Sequence, residues 1–283
     1  MAVSEEQLIE SFYDTVKAFT KYQDLIEATN RMVDSTLVYF ENYSVINKPI
    51  KRRRTIITVT PDTTFHQAMQ FVGTGKRIAV LNFANPLHPG GGVDQGAMSQ
   101  EECLCRSSNL YAALTCNYVL TNYYNRNGRN NTHYGTDTVI YSKGVTVFKS
   151  DDAVPVKLDR PFTVDVITCA APFYNRSTAG AYNYKNYERA FYSRITNILE
   201  VAIANDVDVL ILGAFGCGVF NNPPELVAGV FNHLLSRNGY SHFFKDVVFA
   251  VKPDSRNNYE MFKNILDTGH NTINEENRIN TDV

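Results

Sequence analysis

The chain of 283 residues has no tryptophan and no apolar run near the roughly 20 residues that a membrane-spanning helix needs. It also has no surplus of basic residues, because 27 Lys and Arg stand against 29 Asp and Glu, a formal net charge of −2. This balance argues against strong nonspecific binding of nucleic acid, so a polyanionic ligand has to be held locally. The first residues lack the profile of a secretory signal, and five cysteines are an odd number for a disulfide framework. We therefore expect a soluble, cytoplasmic protein with free thiols and no membrane partner.

Several familiar catalytic and cofactor motifs are missing as well. The sequence contains no His-Glu-x-x-His and no Gly-x-Ser-x-Gly. Cys103 and Cys105 lie two residues apart on a predicted helix, where their side chains point in different directions. The segment 73–77 resembles the end of a phosphate-binding P-loop, but Arg77 occupies the position that requires Ser or Thr. We therefore expect neither a metal site nor a P-loop. The 17 Tyr and 17 Phe suit planar or sugar-like ligands, and they equally suit a packed core.

The periodicity of apolar residues predicts an α/β sandwich around a mostly parallel sheet. Strands are predicted over residues 55–60, 78–84, 164–170, 207–212 and 246–251, with a hairpin of 139–141 and 145–148 around Lys143-Gly144. Helices are predicted over residues 4–19, 62–71, 99–114, 187–204, 224–236 and 259–266. The first of them has the capping-box spacing of Ser4 and Gln7, and Asp62 is the predicted cap of the second. We interpret residues 1–283 as a single domain, with 1–54 as an N-terminal helical extension and 268–283 as a loose tail. The basic cluster at 51–54 is either a solvated strand entry or a phosphate contact.

The first of two glycine-rich loops follows the predicted strand 78–84. Three consecutive glycines, Gly90 to Gly92, leave bare backbone against which a ligand can pack. The helix after them begins Gln100-Glu101-Glu102, which would place an acid beside a bound sugar. Two structural explanations stay open: Ser99-x-x-Glu102 also fits a capping box, and the triple glycine also fits a flexible turn.

The second loop, residues 213–223, follows the strand 207–212 and precedes a helix. Its glycine spacing does not fit Gly-x-Gly-x-x-Gly. Successive N–H donors in such a loop can nevertheless wrap a diphosphate without a lysine. In an open α/β sheet ligands bind beyond the carboxyl ends of the strands, which is where both loops are predicted to lie.

These residues carry a family resemblance. Phe83-Ala84-Asn85, then Gly90 to Gly92, seven residues, and Gln100-Glu101-Glu102 resemble the signature of poly(ADP-ribose) glycohydrolases, and 213–220 resembles that family's diphosphate loop. The resemblance runs from about Thr55 to about Val251 and is greatest to the microbial type, a macrodomain with an N-terminal helical extension. It implies a three-layer α/β/α macrodomain-like sandwich around a mixed sheet. It also implies hydrolysis of the ribose–ribose O-glycosidic bond of poly(ADP-ribose) with release of ADP-ribose, without a metal or dissociable cofactor.

The resemblance also implies roles for individual residues. Glu102 would be the catalytic acid/base, with a raised pKa, and Glu101 and Asn85 would hold the hydroxyls of the scissile ribose. The implied substrate-binding residues are Asn85, Gly90, Gly91, Gly92, Gln100, Gly216, Cys217, Gly218, Val219 and Phe220. Among them Gly216 to Gly218 would cradle the diphosphate and Phe220 would orient the ribose. Phe173 and Tyr174 lie at the correct end of the sheet to stack on adenine, and they also fit the interpretation of ordinary loop aromatics. The Asn- and Tyr-rich segment 122–131 lies outside the signature, and its composition predicts a loop that could cover the site.

Two alternative functions stay open. A non-catalytic module that binds ADP-ribose needs only the phosphate loop, and a hydrolase of another O- or N-linked ADP-ribose would use the same carboxylates. The presence of both Glu101 and Glu102 favours the enzyme. Its expected substrate is poly(ADP-ribose) or ADP-ribosylated protein, and its expected product is ADP-ribose.

Overall fold

The computed structural model describes residues 3–45, 54–130, 134–173 and 184–267. The helices in these ranges are α1 (Glu5–Lys21), α2 (Gln23–Asp34), α3 (Thr64–Met69), α4 (Gln100–Ser107), α5 (Leu110–Leu114), α6 (Asn117–Val119), α7 (Asn125–Arg129), α8 (Tyr184–Ala204), α9 (Pro224–Asn232) and α10 (Asn258–Leu266). The strands are β1 (Leu37–Tyr39), β2 (Ile56–Thr60), β3 (Ile78–Phe83), β4 (Val139–Lys149), β5 (Lys157–Cys169), β6 (Val209–Leu212) and β7 (Asp246–Ala250). The predicted tail 268–283, the basic residues 51–53 and Tyr174 lie outside the described residues.

The strands form one seven-stranded sheet in the order β1-β4-β5-β3-β6-β7-β2. Its pairs β5-β3, β3-β6, β6-β7 and β7-β2 are parallel, whereas β1-β4 and β4-β5 are antiparallel. The sheet is therefore mixed and mostly parallel, which confirms the predicted fold class. In the described part of the chain no helix is both long and apolar enough to cross a membrane.

Helices cover both faces of this sheet. Successive residues of a strand point to opposite faces, so Ala79 and Leu81 of β3 pack with α8, α9 and α10. Ile78 and Val80 pack on the other face, with residues of α1 to α5. Because both faces are covered, the central strands β3 and β6 are almost entirely apolar, as their sequence pattern indicated, and Asn82 of β3 is the one polar residue in these two strands.

The N-terminal segment is only partly as predicted. The capping box of Ser4 and Gln7 begins α1, which confirms that prediction. The extension 1–54 contains the helices α1 and α2 and also a short strand, β1, which pairs with β4 at the edge of the sheet. Helix α1 also packs behind the first glycine-rich loop, where a Cβ on Gly96 would lie 2.8 Å from the Glu5 carbonyl oxygen.

Three local predictions were wrong. The predicted hairpin of 139–148 is one strand, β4, with an irregularity between Ser142 and Val145 where the Gly144 N–H donates to Asp165. Within the predicted loop 122–131, residues 122–129 are helical, in a π-helical turn (Leu120–Tyr124) followed by α7, because Tyr123 and Tyr124 are buried in the core. Helix α3 begins after Thr63 and takes its cap from Asp151 rather than from Asp62, since Asp151 accepts from the Phe65 N–H.

Candidate active site

The two glycine-rich loops meet in one cleft. Strands β3 and β6 are parallel neighbours, so the segments that follow them emerge at the same edge of the sheet. The cleft between them has a volume of about 490 Å³. The sequence-predicted residues that line it are Asn85, Gln100, Glu101, Glu102, Gly216, Gly218, Val219 and Phe220. Gly90 to Gly92 and Cys217 are not among the lining residues.

Glu102 lies in the first turn of α4 and is 7% exposed. Its Oε1 accepts a hydrogen bond of 3.0 Å from the Gly92 N–H, while its buried Oε2 has no partner among the described residues. Ser99 is the N-cap of α4 but makes no side-chain cap bond, and the Glu102 carboxylate turns to the glycine loop instead. The capping-box alternative is therefore wrong, and the carboxylate, which lines the cleft, keeps one oxygen without a partner among the described residues.

Glu101 is buried more deeply, at 2% exposure. Its Oε2 accepts from the Asn85 N–H at 2.7 Å, and its Oε1 lies 3.3 Å from Nδ2 of Asn82. Burial raises the pKa of the Glu101 carboxyl to about 8, and the neighbouring charge of Glu102 adds to this rise. The pair therefore combines a carboxyl that readily keeps its proton with a second carboxyl that has a vacant acceptor.

Sequence reasoning missed Asn82, which fixes the position of Glu101. Asn82 lies in the middle of β3, is fully buried and shares its Nδ2 between Glu101 and Thr168. The available signal was an amide inside an otherwise apolar strand, because a buried amide needs partners. Gln100 is also held by the protein, donating to Thr64 and the Leu81 carbonyl and accepting from the Phe83 N–H. These bonds fasten the start of α4 to β3, and a contact of Gln100 with substrate stays a prediction.

The glycine triplet packs closely against the Glu102 carboxylate. Gly90 and Gly91 have φ of +71° and +63°, a backbone conformation that favours glycine. A Cβ on Gly91 would collide with Oε1 of Glu102, and one on Gly90 would lie 2.9 Å from the Tyr111 ring. The triplet therefore forms a turn whose backbone conformation is fixed by its contacts, rather than a merely flexible turn. Direct contact of these glycines with a ribose stays a prediction.

The second loop presents a row of backbone donors. Among the described residues, no protein acceptor takes the N–H groups of Gly216, Gly218, Val219 and Phe220. The N–H of Cys217 differs, since it donates to the Ala214 carbonyl, and the Cys217 side chain is buried. Adjacent free N–H groups form a concave site of positive potential for an anion. Of the three residues expected to cradle a diphosphate, the two glycines have a free donor and Cys217 does not.

Aromatic side chains close one side of the cleft. The half-buried ring of Phe220 packs edge-on against Phe173, with ring centroids 5.7 Å apart. Val219, beside it, is 74% exposed. Phe173 thus packs against the Phe220 ring without lining the cleft itself, and stacking of Phe173 on adenine stays a prediction.

The raised pKa of Glu101 predicts a pH-dependent stability. Between its ordinary pKa of 4.5 and about 8, the folded protein keeps a proton that the unfolded chain releases, so the free energy of unfolding falls as pH rises. This group can lower the free energy of unfolding by at most about 1.4 kcal/mol per pH unit, which corresponds to roughly 3 °C of melting temperature per pH unit. We expect Glu101→Gln to flatten this decline in thermal melts between about pH 5.5 and 8.5. Equal slopes for the variant and wild type would contradict the assignment, and Glu225→Gln, an exposed carboxylate in the first turn of α9, is the matched control.

Comparison with known proteins gives a consistent result. Residues 5–150 match the family model of the microbial-type PARG catalytic domain. The chain is similar to the crystal structure of poly(ADP-ribose) glycohydrolase from Thermomonospora curvata, with 30% identity, coverage of 91% of this chain and 98% of that chain, and a TM-score of 0.79. The same bacterium's enzyme bound to the inhibitor ADP-HPD gives 30% identity, the same coverage and a TM-score of 0.78. The enzyme from Deinococcus radiodurans in complex with ADP-ribose is 31% identical, covering 83% of this chain and 95% of that chain, with a TM-score of 0.73. No curated protein sequence matches the chain significantly.

Proposed function

Because the chain belongs to the microbial-type poly(ADP-ribose) glycohydrolase family, we propose that it hydrolyses the ribose–ribose O-glycosidic bond of poly(ADP-ribose) and releases ADP-ribose. One observation on this chain's own residues supports the proposal. Glu102, whose buried Oε2 has no partner among the described residues, lines the same cleft as residues 216 and 218–220, whose N–H groups are free. A diphosphate on those donors would place the attached ribose within the cleft that the carboxyls border.

In this proposal Glu102 is the acid/base of the reaction. Its protonated carboxyl gives a proton to the leaving oxygen as the bond from C1 breaks, and a positively charged, oxocarbenium-like transition state forms. The resulting carboxylate then takes a proton from the water that attacks C1, which restores the carboxyl. Glu101 and the amide of Asn85 hold the ribose hydroxyls. The hydrogen bond from the Gly92 N–H keeps Glu102 in one orientation through both steps.

The experiment that tests this function uses defined substrates. The purified protein is incubated with poly(ADP-ribose) and, separately, with protein that carries single ADP-ribose units, and the products are separated by chain length. Release of ADP-ribose from the polymer is the expected result. Binding of the polymer without cleavage would instead identify a non-catalytic ADP-ribose-binding module. Release only from the singly modified substrate would identify a hydrolase of another linkage.

Gly218 offers a test of the diphosphate loop. A Cβ at Gly218 would meet no atom within 4 Å and its φ is not positive, so Gly218→Val should fold normally but obstruct the donors that face the cleft. We expect about tenfold weaker binding of ADP-ribose by calorimetry, with adenosine binding unchanged, because only ADP-ribose carries the diphosphate.

The control for this experiment is Gly229→Val in α9. Gly229 also has open space for a side chain and no positive φ, and it does not line the cleft. Equal losses for both ligands in Gly218→Val, or none, would contradict the diphosphate role. Gly216 is the poorer choice, because its φ of +74° and its contact with Asn222 make any side chain there a test of folding.

We also place the protein in the cytoplasm. The support for this compartment is that Cys103, Cys105, Cys116, Cys169 and Cys217 are all free thiols.

A further inference from the structure

Arg256 joins two loops that border the cleft. It lies in the turn between β7 and α10, outside the cleft lining, and its side chain is exposed. Its Nη1 donates to the carbonyl oxygen of Cys217, at 2.8 Å, and to that of Gly218. The backbone of Arg256 is itself fixed, because its N–H donates to the Asp254 carboxylate. One guanidinium from a neighbouring loop therefore binds two consecutive carbonyls of the diphosphate loop, of which that of Gly218 also accepts from the Asn221 N–H while that of Cys217 has Arg256 as its donor.

The direction of those carbonyls determines the direction of the donors. In a trans peptide unit the C=O and the N–H point to opposite sides, and the described chain contains no cis peptide bond. The carbonyls of Cys217 and Gly218 belong to the same peptide units as the N–H groups of Gly218 and Val219. With both carbonyls turned to Arg256, these two N–H groups point away from it, and Gly218 and Val219 line the cleft.

We propose that Arg256 is a positioning residue that keeps the N–H groups of Gly218 and Val219 turned toward the diphosphate of ADP-ribose. The inference rests on the proposed function and deepens it. Parallel N–H dipoles repel one another, so rotation of one peptide unit would lower the energy of the loop when no ligand is bound. Arg256 opposes that rotation by binding the far end of both units, and the loop meets its ligand already arranged.

A charge effect at a distance is the competing explanation. Asp254 lines the cleft, and its carboxylate opposes an anion although it accepts from the N–H groups of Arg256 and Asn258 and from the Asn258 amide. The positive charge of Arg256 offsets that field whether or not it holds the loop. Salt separates the two explanations, because the Debye length falls from about 10 Å at 0.1 M to about 3 Å at 1 M.

The test measures binding of ADP-ribose and of adenosine to the full chain by calorimetry. For Arg256→Ala we expect about tenfold weaker ADP-ribose binding, unchanged adenosine binding and an unchanged melting temperature. On poly(ADP-ribose) we expect KM to rise while kcat stays close to wild type. Arg256→Lys, which can still donate to carbonyls, should recover most of the lost affinity. Arg77→Ala is the matched control, because Arg77 also donates to a backbone carbonyl, that of Asn205, outside the cleft lining.

Two results would overturn the inference. One is ADP-ribose affinity within about twofold of wild type in Arg256→Ala, or an equal loss for adenosine. The other is a loss that disappears at about 1 M salt, since a preorganised loop keeps its advantage when charges are screened. If wild type itself binds ADP-ribose no better than adenosine, the proposed function fails instead, and the two failures are thus distinguishable.

Discussion

Glu102→Gln is expected to lower the turnover of poly(ADP-ribose) by about 10²- to 10⁴-fold, the range for loss of a general acid. The glutamine amide keeps the size of the side chain and an oxygen that can accept from the Gly92 N–H, so the fold should survive. It cannot donate a proton to the leaving oxygen or take one from water. Affinity for ADP-ribose should change little, because the loop proposed to bind the diphosphate, residues 213–220, is untouched. Steady-state kinetics on the polymer and calorimetry with ADP-ribose check both parts of this expectation.

The matched control for this variant is Glu225→Gln. Glu225 occupies the first turn of α9 as Glu102 occupies the first turn of α4, but it is exposed and lies outside the cleft. Turnover of Glu102→Gln within about threefold of wild type would reject Glu102 as the acid/base. Glu101 would then be the next candidate, since its raised pKa already favours a protonated carboxyl near neutral pH.

The strands of the central sheet could be predicted because their signal is local. The run Val207 to Leu212 is nearly continuously apolar, and a strand covered on both faces needs no other pattern. The order of the strands is not local information. The meeting of the two glycine loops depends on β3 and β6 being neighbours, which α/β topology makes plausible but which no residue spacing specifies.

The wrong predictions share one physical cause, which is that tertiary contacts override local composition. Tyr123 and Tyr124 look like loop residues among asparagines, yet their rings are buried, and burial of that area stabilises a helix there. Lys143-Gly144 looks like a turn, but β5 runs alongside both halves of the segment and pairs with each. The cap of α3 comes from Asp151, 86 residues away from Phe65, a distance at which spacing rules carry no information.

The site was predictable in its residue types and not in its hydrogen bonds. Ser99-x-x-Glu102 supports a capping box on spacing alone, and only the position of the Gly92 N–H decides against it. The same holds for Cys217, whose N–H donates to the Ala214 carbonyl and is therefore not available to a ligand. It holds also for Asn82, whose amide is positioned by a hydrogen bond to Thr168 of the neighbouring β5. Sequence spacing shows which groups are available, whereas function depends on which of them remain unpaired.

Phe220→Ala is expected to lower turnover on poly(ADP-ribose) by up to about 100-fold, and to lower affinity for free ADP-ribose much less. The ring lines the cleft and packs edge-on against Phe173, and under the proposal that it orients the scissile ribose its removal would free that ribose to shift. A displacement of about 1 Å at a reacting centre can cost on the order of 100-fold in rate. The diphosphate donors lie in the backbone and are retained in the variant.

A purely structural role for Phe220 predicts a different pattern, because deleting a buried phenylalanine costs about 3–5 kcal/mol of stability. Phe215 in the same loop is fully buried, and Phe215→Ala therefore shows what loss of a core ring looks like in a melting scan. Phe220 is only half-buried, so its truncation should lower the melting temperature far less than that of Phe215. A melting temperature as low as that of Phe215→Ala, with near-normal turnover of the folded fraction, would assign Phe220 to the core and remove it from the site.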